Sequence, residues 1–382
     1  MKIIADTNIP YVEEAFSDFG EIRLMPGREI TSDDLRDAEI LLIRSVTRAD
    51  EELLSGTAVR FLATATIGYD HVDLDYLRRN HIGFAGAPGS NADSVAEYVL
   101  AAIFELWHRG GPPPWEQTIG IIGVGNVGGR VYRRAGALGI RCLVNDPPKA
   151  RSADTDGFYQ DLNAVLSEAD IVTLHVPLQT EGPDKTDGLV DEAFLGKMKK
   201  GATLINTSRG RVVDEKALLR NRSRLGGLVL DVWQNEPEIS LETLRAADLA
   251  TPHIAGYSYD GKVRGTGMIY SAACGFFFRK PTWDPAVHID KEPIQKLTFE
   301  NDDSKLYQAI CGAYPISADD RKSRGIAGEN AVTRGEYFDR LRKEYPKRLE
   351  FPHFSVPVSG ASDEEVEVLK KLGFQLDHGR DR

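Results

Sequence analysis

Residues 119–129 read IGIIGVGNVGG. Small apolar residues run into three glycines, Gly123, Gly125 and Gly128, at the spacing G-x-G-x-x-G, and a helix-like stretch, NVGGRVYRRAGALG, follows. Glycine is common and the spacing arises by chance, so context must separate a phosphate-cradling turn from an ordinary tight one. The preceding TIGIIG has the unbroken apolar character of a buried strand. The next strand-like run, RCLVND, ends on Asp146, about twenty residues beyond the loop, where a dinucleotide-binding β-α-β unit carries its ribose-binding acid. The first glycine permits the turn, the second lets the backbone approach a pyrophosphate, and the third lets helix and strand pack closely. The helix start adds free N–H groups and the positive end of its dipole. The expectation is a dinucleotide on Gly123, Gly125, Asn126, Val127 and Gly128, with Asp146 on the ribose. A carboxylate there repels a 2′-phosphate and so favours NAD over NADP; Lys149 and Arg151 are nearby cations that argue the other way.

Outward from the loop the chain alternates strand-like and helix-like segments. Upstream, KIIAD, AEILLIRS, VRFLATAT and IGFAG read as buried strands, with DLRDA and HVDLDYLRRN as helices between them. NADSVAEYVLAAIFELWHR (91–109) is the longest helix candidate, capped by Asn91 or Asp93, and GGPPPW (110–115) reads as a boundary or hinge. Downstream, RCLVND, DIVTLHVP, ATLINTS and GLVLDVW are further strands, TPHIAGYS closes the block, and DGKVRGTGMIYSAACGFFF is a helix. Such alternation predicts α/β architecture with parallel sheets covered on both faces. The C-terminal residues are charge-rich, then carry a short apolar run, HFSVPVSG, and an amphipathic SDEEVEVLKKLG, which together read as a small α+β appendage.

Composition narrows the function. The chain has 382 residues, enough for two or three domains, and is 41% hydrophobic and 27% charged, with a formal net charge of −11. That charge excludes a general nucleic-acid binder. Three cysteines, Cys142, Cys274 and Cys311, at no metal-ligand spacing, argue against a disulfide framework or a metal centre and suit a reducing compartment. MKIIADTNIP is a poor signal peptide, and no apolar stretch is long enough for a bilayer, so a cytoplasmic setting is expected, with no membrane partner.

A bound dinucleotide performs no chemistry without a base for a hydroxyl proton and a cation for an anionic substrate. Three residues at expected strand ends fit: Arg209 in LINTSRGRVVD, Glu236 in LDVWQNEP and His253 in TPHIAGYS. Singly each has an ordinary explanation: a surface ion pair, a solvated loop acid, a packed imidazole. Together they form a device in which His253 takes the proton, Glu236 orients it and Arg209 binds a carboxylate bidentately.

GVGNVG, NTSRGRVVD, LDVWQNEP and PHIAGYS, in this order, closely resemble the D-isomer-specific 2-hydroxyacid dehydrogenases over about residues 1–280. The resemblance implies a Rossmann-type NAD-binding domain (94–256), a flavodoxin-like substrate domain assembled from 1–93 and 257–285, and catalysis by Arg209, Glu236 and His253. IRSVT (43–47), TATIGYDHVD (64–73), GAPGSNADSVAEYV (86–99), PLQTEGPDKT (177–186), HIAGYSYDGKVRGT (253–266) and the tail segments GEYFDRLRKEY and LKKLGF resemble one branch of that family. This branch has an added C-terminal dimerisation domain, here 286–382, which implies a homodimer. It further implies NAD-dependent oxidation of 4-phospho-D-erythronate in pyridoxal 5′-phosphate biosynthesis. Carried over by position, His175, Thr207, Asp231 and Gly256 join Asp146 in contacting NAD, while Ser45, Thr66 and Tyr257 touch substrate. Arg44, a cation beside Ser45 at a strand end, is read as a phosphate or carboxylate ligand. Thr7 departs from the branch, standing where an acid is expected. Competing readings are another D-2-hydroxy acid such as 3-phosphoglycerate, or an NAD-sensing interaction protein.

Overall fold

Short runs dominated by apolar residues need cover on both faces, and ILLI and FLAT become strands buried at every position. The computed structural model describes residues 1–152, 157–299 and 304–379. They fall into two units, Met1–Asn91 with Ser258–Pro293, and Ala92–Tyr257 with Ile294–Arg382.

In the first unit β1 (Lys2–Asp6), β2 (Glu21–Met25), β3 (Ile40–Ile43), β4 (Phe61–Thr64) and β5 (Gly83–Ala85) form a parallel sheet in the order β2-β1-β3-β4-β5. This is the flavodoxin-like order. Two apolar clusters cover its faces, one built on Phe16, Phe19, Ile269 and Tyr270, the other on Leu35, Leu54, Tyr76 and Leu77. Edge strand β2 was not foreseen: EIRLM is charged at alternate positions and only partly buried. DLRDA makes no helix. Only a 3-10 turn forms at Asp33–Leu35, because the Asp34 carboxylate takes the Thr31 N–H at 3.1 Å and its hydroxyl at 2.6 Å, a local alternative to helix bonding.

In the second unit β6 (Thr118–Ile122), β7 (Arg141–Asn145), β8 (Ile171–Leu174), β9 (Thr203–Asn206), β10 (Gly227–Leu230) and β11 (Leu249–Ala250) are all parallel, ordered β11-β10-β9-β8-β6-β7. Strand order reverses between β6 and β8, and a crevice at such a switch point binds ligands at the C-terminal strand ends. The long helix spans Ala92–His108. Asp93 does not cap it; its carboxylate pairs with Arg130 at 2.8 Å and Arg134 at 3.3 Å. GGPPPW lies inside this unit, not at its edge, since the division between units falls at 91/92. Trp115 packs edge-on to Trp107, ring centroids 5.0 Å apart, and Gln117 Nε2 donates to the Pro112 carbonyl at 3.0 Å, which ties the segment to the helix end.

The C-terminal residues pack on the same unit. They carry a parallel sheet of β12 (Gln295–Lys296), β13 (Phe354–Pro357) and β14 (Gln375–Asp377), with helices at Lys305–Ala313, Ile316–Arg324, Arg334–Lys343 and Asp363–Leu372. Ile326 and Phe338 join the core that covers β8, β9 and β10. Asp320 Oδ1 accepts the Ala250 N–H of edge strand β11 at 2.8 Å, a donor that would cost about 1–3 kcal/mol if buried unpaired. Among the described residues no helix is long and apolar enough to cross a membrane.

Candidate active site

Every candidate residue of the second unit's sheet follows the C-terminal end of a parallel strand: Gly123 after β6, Asp146 after β7, His175 after β8, Thr207 and Arg209 after β9, Asp231 after β10, His253 after β11. The glycines divide their labour as the motif requires. Gly123 sits at φ +84°, and a Cβ on it would stand 2.7 Å from the His175 carbonyl oxygen. A Cβ on Gly128 would stand 2.0 Å from the Gly123 carbonyl, so only glycine lets the helix Asn126–Ala137 meet the turn. Gly125 and Asn126 are exposed, and a Cβ on Gly125 would meet nothing within 4 Å. An open, side-chain-free helix start is what a pyrophosphate needs, so the residues present fit a dinucleotide.

Asp146 also locks this turn. Its Oδ2 accepts the Val124 N–H at 2.8 Å and its Oδ1 the Lys149 N–H at 3.1 Å, and each oxygen retains a lone pair for a ribose hydroxyl. The two nearby cations are engaged within the chain: Lys149 Nζ donates to the Val124 carbonyl at 2.6 Å, and Arg151 pairs with Asp184. His175 lies between Thr173, 3.0 Å from Nε2, and Thr207, 3.4 Å from Nδ1. Burial pulls its pKa down to about 3, so the ring is neutral at neutral pH.

Glu236 and His253, 17 residues apart, meet with Oε2 and Nδ1 at 2.6 Å. The other carboxylate oxygen of Glu236 accepts the Trp233 N–H at 2.8 Å. Burial pushes the Glu236 pKa up, but the charge of His253, its hydrogen bond and the Trp233 N–H outweigh burial and hold it below the ordinary carboxylate value. His253 adopts a left-handed conformation, φ 59°, uncommon outside glycine. Its N–H donates to the Asp231 carbonyl at 2.7 Å, while the buried Asp231 carboxylate takes N–H groups from Ile254 at 2.7 Å and Ala255 at 3.0 Å and the Thr251 hydroxyl at 2.7 Å. Asp231 therefore braces the loop that carries the imidazole. Burial raises its own pKa, against the charge of His253 and these hydrogen bonds.

The segment that carries Arg209 comes close to the Glu236 turn by a backbone device. A Cβ on Gly210 would stand 1.8 Å from the Trp233 carbonyl oxygen, so only glycine lets the Arg209 segment lie against the Trp233–Glu236 turn. Asn206 Nδ2 holds the Arg209 carbonyl at 3.0 Å. Gly256 and Tyr257 continue the His253 loop, both partly buried. In the first unit, Arg44 and Ser45 follow β3, and Thr66 follows the neighbouring β4. Thr66 Oγ1 lies 2.7 Å from Thr64 Oγ1 and donates to the Gly68 carbonyl at 3.0 Å; Ser45 is exposed and Arg44 partly buried.

Residues 107–255 match a family model described as the NAD-binding domain of D-isomer specific 2-hydroxyacid dehydrogenases, and residues 289–373 match one described only as a domain of unknown function. The erythronate-4-phosphate dehydrogenase of Salinibacter ruber is 48% identical, with 99% of each chain covered. That of Klebsiella pneumoniae is 42% identical, again over 99% of each. This chain belongs to the erythronate-4-phosphate dehydrogenase family. Among solved structures, the D-lactate dehydrogenase of Aquifex aeolicus, complexed with NAD and lactic acid, is 25% identical with a TM-score of 0.60, over 72% of this chain and 95% of that one. The NAD-bound 3-phosphoglycerate dehydrogenase of Entamoeba histolytica is also 25% identical, with a TM-score of 0.64, over 73% and 95%. The chain is an NAD-dependent dehydrogenase of the 2-hydroxyacid type.

Several residues that shape this dehydrogenase site escaped the sequence reading. Thr251 joins Asp231 to the buried Tyr98 hydroxyl, 2.7 Å away, and its carbonyl accepts Trp233 Nε1–H at 2.9 Å. The Ala255 carbonyl accepts from the Ser94 hydroxyl at 2.6 Å and from Arg348 at 3.2 Å. Arg348, in the tail, is buried over the Tyr314 ring and lies 3.5 Å from Glu97. No linear pattern marks a tail arginine as a partner of residues so far away in sequence. Thr251, Ser94 and Trp233, by contrast, stand in the quoted TPHIAGYS, NADSVAEYVLAAIFELWHR and LDVWQNEP runs, where no role was assigned to them.

Proposed function

We propose that this enzyme oxidises 4-phospho-D-erythronate to (R)-3-hydroxy-2-oxo-4-phosphobutanoate with NAD, in the cytoplasm, as a step of pyridoxal 5′-phosphate biosynthesis. The observation that carries the chemistry is the Glu236–His253 contact at 2.6 Å on a loop braced by Asp231. The near full-length likeness to the named relatives supports the substrate.

NAD, when bound, accepts the hydride that leaves substrate C2. His253 Nδ1 is committed to Glu236, so Nε2 is the atom left to take the C2 hydroxyl proton. Glu236, held ionised, fixes the imidazole plane and stabilises the positive charge it gains. The C2–O bond gains its second component as the C2–H pair departs, and Arg209 holds the carboxylate and steadies the oxygen. Gly123, Gly125, Asn126, Val127 and Gly128 take the pyrophosphate and Asp146 the ribose; His175, Thr207, Asp231 and Gly256 complete the cofactor contacts. A neutral His175 would add no positive charge to the site that would hold the cationic oxidised cofactor. Arg44, Ser45, Thr66 and Tyr257 are the substrate contacts. Residues 1–93 with 257–285 would be the substrate domain, 94–256 the cofactor domain, and 286–382 the segment through which a homodimer forms.

The test is NADH formation by the purified chain with 4-phospho-D-erythronate and D-3-phosphoglycerate side by side. A kcat/KM at least tenfold higher for the former, on the order of 1.4 kcal/mol of discrimination, is expected. Preference for D-3-phosphoglycerate would overturn the substrate and leave the dehydrogenase chemistry. Bound NADH without turnover of either would point to a sensing role.

A further inference from the structure

We propose that Arg342, on the tail helix Arg334–Lys343, binds the terminal phosphate of the substrate together with Tyr257. The inference rests on the substrate reading above and adds a residue that neither the glycine loop nor the catalytic trio contains.

The substrate has an anion at each end, a carboxylate at C1 and a phosphate at C4. Arg209 serves the carboxylate, so a second cation must serve the phosphate. The His253 loop ends at Tyr257, and over its ring, 5.7 Å from the centroid, lies the guanidinium of Arg342. The Phe338 ring, fully buried, lies 5.9 Å from the same guanidinium. Tyr345 meets Tyr257 edge-on, ring centroids 6.0 Å apart. Arg342 is thus held by aromatic side chains on a helix anchored in the core, which fixes the plane of its fork.

Its charge is oriented towards the chemistry. Arg342 hydrogen-bonds the Tyr257 side chain and interacts electrostatically with Glu236, the acid bound to His253. Burial works against that charge, but Tyr257, Glu236 and Asp339 outweigh it and keep the guanidinium protonated. The Arg342 Nε is buried without a hydrogen-bond partner, so the fork is not saturated within the protein. Three other tail arginines have partners elsewhere, Arg348 in Glu97, Ser94 and Ala255, Arg324 in Asp320, and Arg340 in the Tyr337 ring, while the Nε atoms of Arg334 and Arg348 are likewise buried without a hydrogen-bond partner; what sets Arg342 apart is its place over Tyr257. A guanidinium beside a tyrosine hydroxyl supplies the planar donor set that phosphate oxygens accept.

A phosphorylated substrate does not by itself call for a tail, since the 3-phosphoglycerate dehydrogenase compared above is matched over 95% of its length by 73% of this chain. The 2-hydroxyacid dehydrogenase structures compared above cover 72% and 73% of this chain, whereas the erythronate-4-phosphate dehydrogenases cover 99%. A phosphate ligand in the tail would give the extra segment a role in specificity.

The experiment uses the full-length chain and its Arg342→Gln, Arg342→Lys and Arg44→Gln variants. For each, kcat/KM is measured with 4-phospho-D-erythronate and with unphosphorylated D-erythronate, together with competitive inhibition by inorganic phosphate and NADH affinity. The expected result is that Arg342→Gln lowers the ratio of the two kcat/KM values at least tenfold and weakens inorganic phosphate, with NADH affinity retained. Arg342→Lys, which keeps the charge and loses the fork, should recover part of both. A parallel fall with the two substrates and unchanged inhibition by phosphate would overturn the proposal and leave Arg342 a packing residue. Collapse of the ratio in Arg44→Gln but not in Arg342→Gln would also overturn it. Wild-type chain that fails to oxidise 4-phospho-D-erythronate would instead refute the substrate reading itself.

Discussion

Among single residues of the candidate site, few polar atoms are left for a ligand. The Glu236–His253 pair leaves one imidazole nitrogen for chemistry, and Asp146 spends one lone pair of each oxygen on the glycine turn. His253→Ala should cut kcat by about a hundred- to ten-thousand-fold while NADH still binds, measurable by steady-state kinetics and by fluorescence titration. Glu236→Gln removes the charge opposite a protonating imidazole, so the acid limb of the kcat/KM profile should move to lower pH; an unmoved limb would mean that Glu236 holds the ring by geometry alone. Asp146→Asn keeps an acceptor for the Val124 N–H but loses the charge, so preference for NAD over NADP should narrow with little change in melting temperature. The sequence pointed to these residues because each stands in a short run of the kind that carries chemistry. It did not disclose Thr251, Ser94 or Arg348, whose roles come from carbonyls and hydroxyls brought together by tertiary packing.

At the scale of elements, the glycine turn separates two requirements. Packing requires Gly128, whereas Gly125 faces open space, which the proposed cofactor site would use. Gly128→Ala should therefore destabilise the chain by roughly 1–3 kcal/mol, seen in chemical denaturation, since its methyl group meets a backbone carbonyl rather than a movable side chain. Gly125→Ala should leave stability within about 0.5 kcal/mol of wild type and weaken NAD, because its methyl group enters open space where a phosphate would lie. Equal loss of stability in both would refute that division. Strands made of unbroken apolar runs were legible; the half-buried edge strand Glu21–Met25 was not, because its alternating charges break the run. DLRDA failed as a helix for a local reason, the Asp34 bonds to Thr31, which periodicity does not register. GGPPPW looked like a hinge because glycine and proline end helices; ring packing of Trp115 on Trp107 then keeps that break within one unit.

At the scale of the whole molecule, two predictions concern the folded chain. His175 has an ordinary pKa of 6.5 and a folded one of about 3, so the unfolded chain binds a proton between those values that the native chain refuses. Its contribution to stability is complete above about pH 6.5 and is lost as pH falls towards 3; replacing His175 by Asn should flatten that part of the stability–pH curve. Light scattering of the intact chain should give twice the 42.2 kDa of one copy, and a monomer at assay concentration would remove the proposed dimer. The parallel sheets were legible because alternation of strand and helix leaves few alternatives. The packing of the C-terminal residues was not, because Asp320 and Phe338 act through a strand edge and a core that lie far from them in sequence. We propose that the chain moves a hydride from C2 of 4-phospho-D-erythronate while His253 takes the hydroxyl proton. Substrate carrying deuterium at C2 tests it most directly, incubated with NAD and either wild-type or His253→Ala chain. The expected result is deuterium in the reduced cofactor from the wild type, with a primary isotope effect on the chemical step, and a rate reduced by at least about a hundredfold in the variant. Reduced cofactor without deuterium, or equal transfer by the variant, would contradict it.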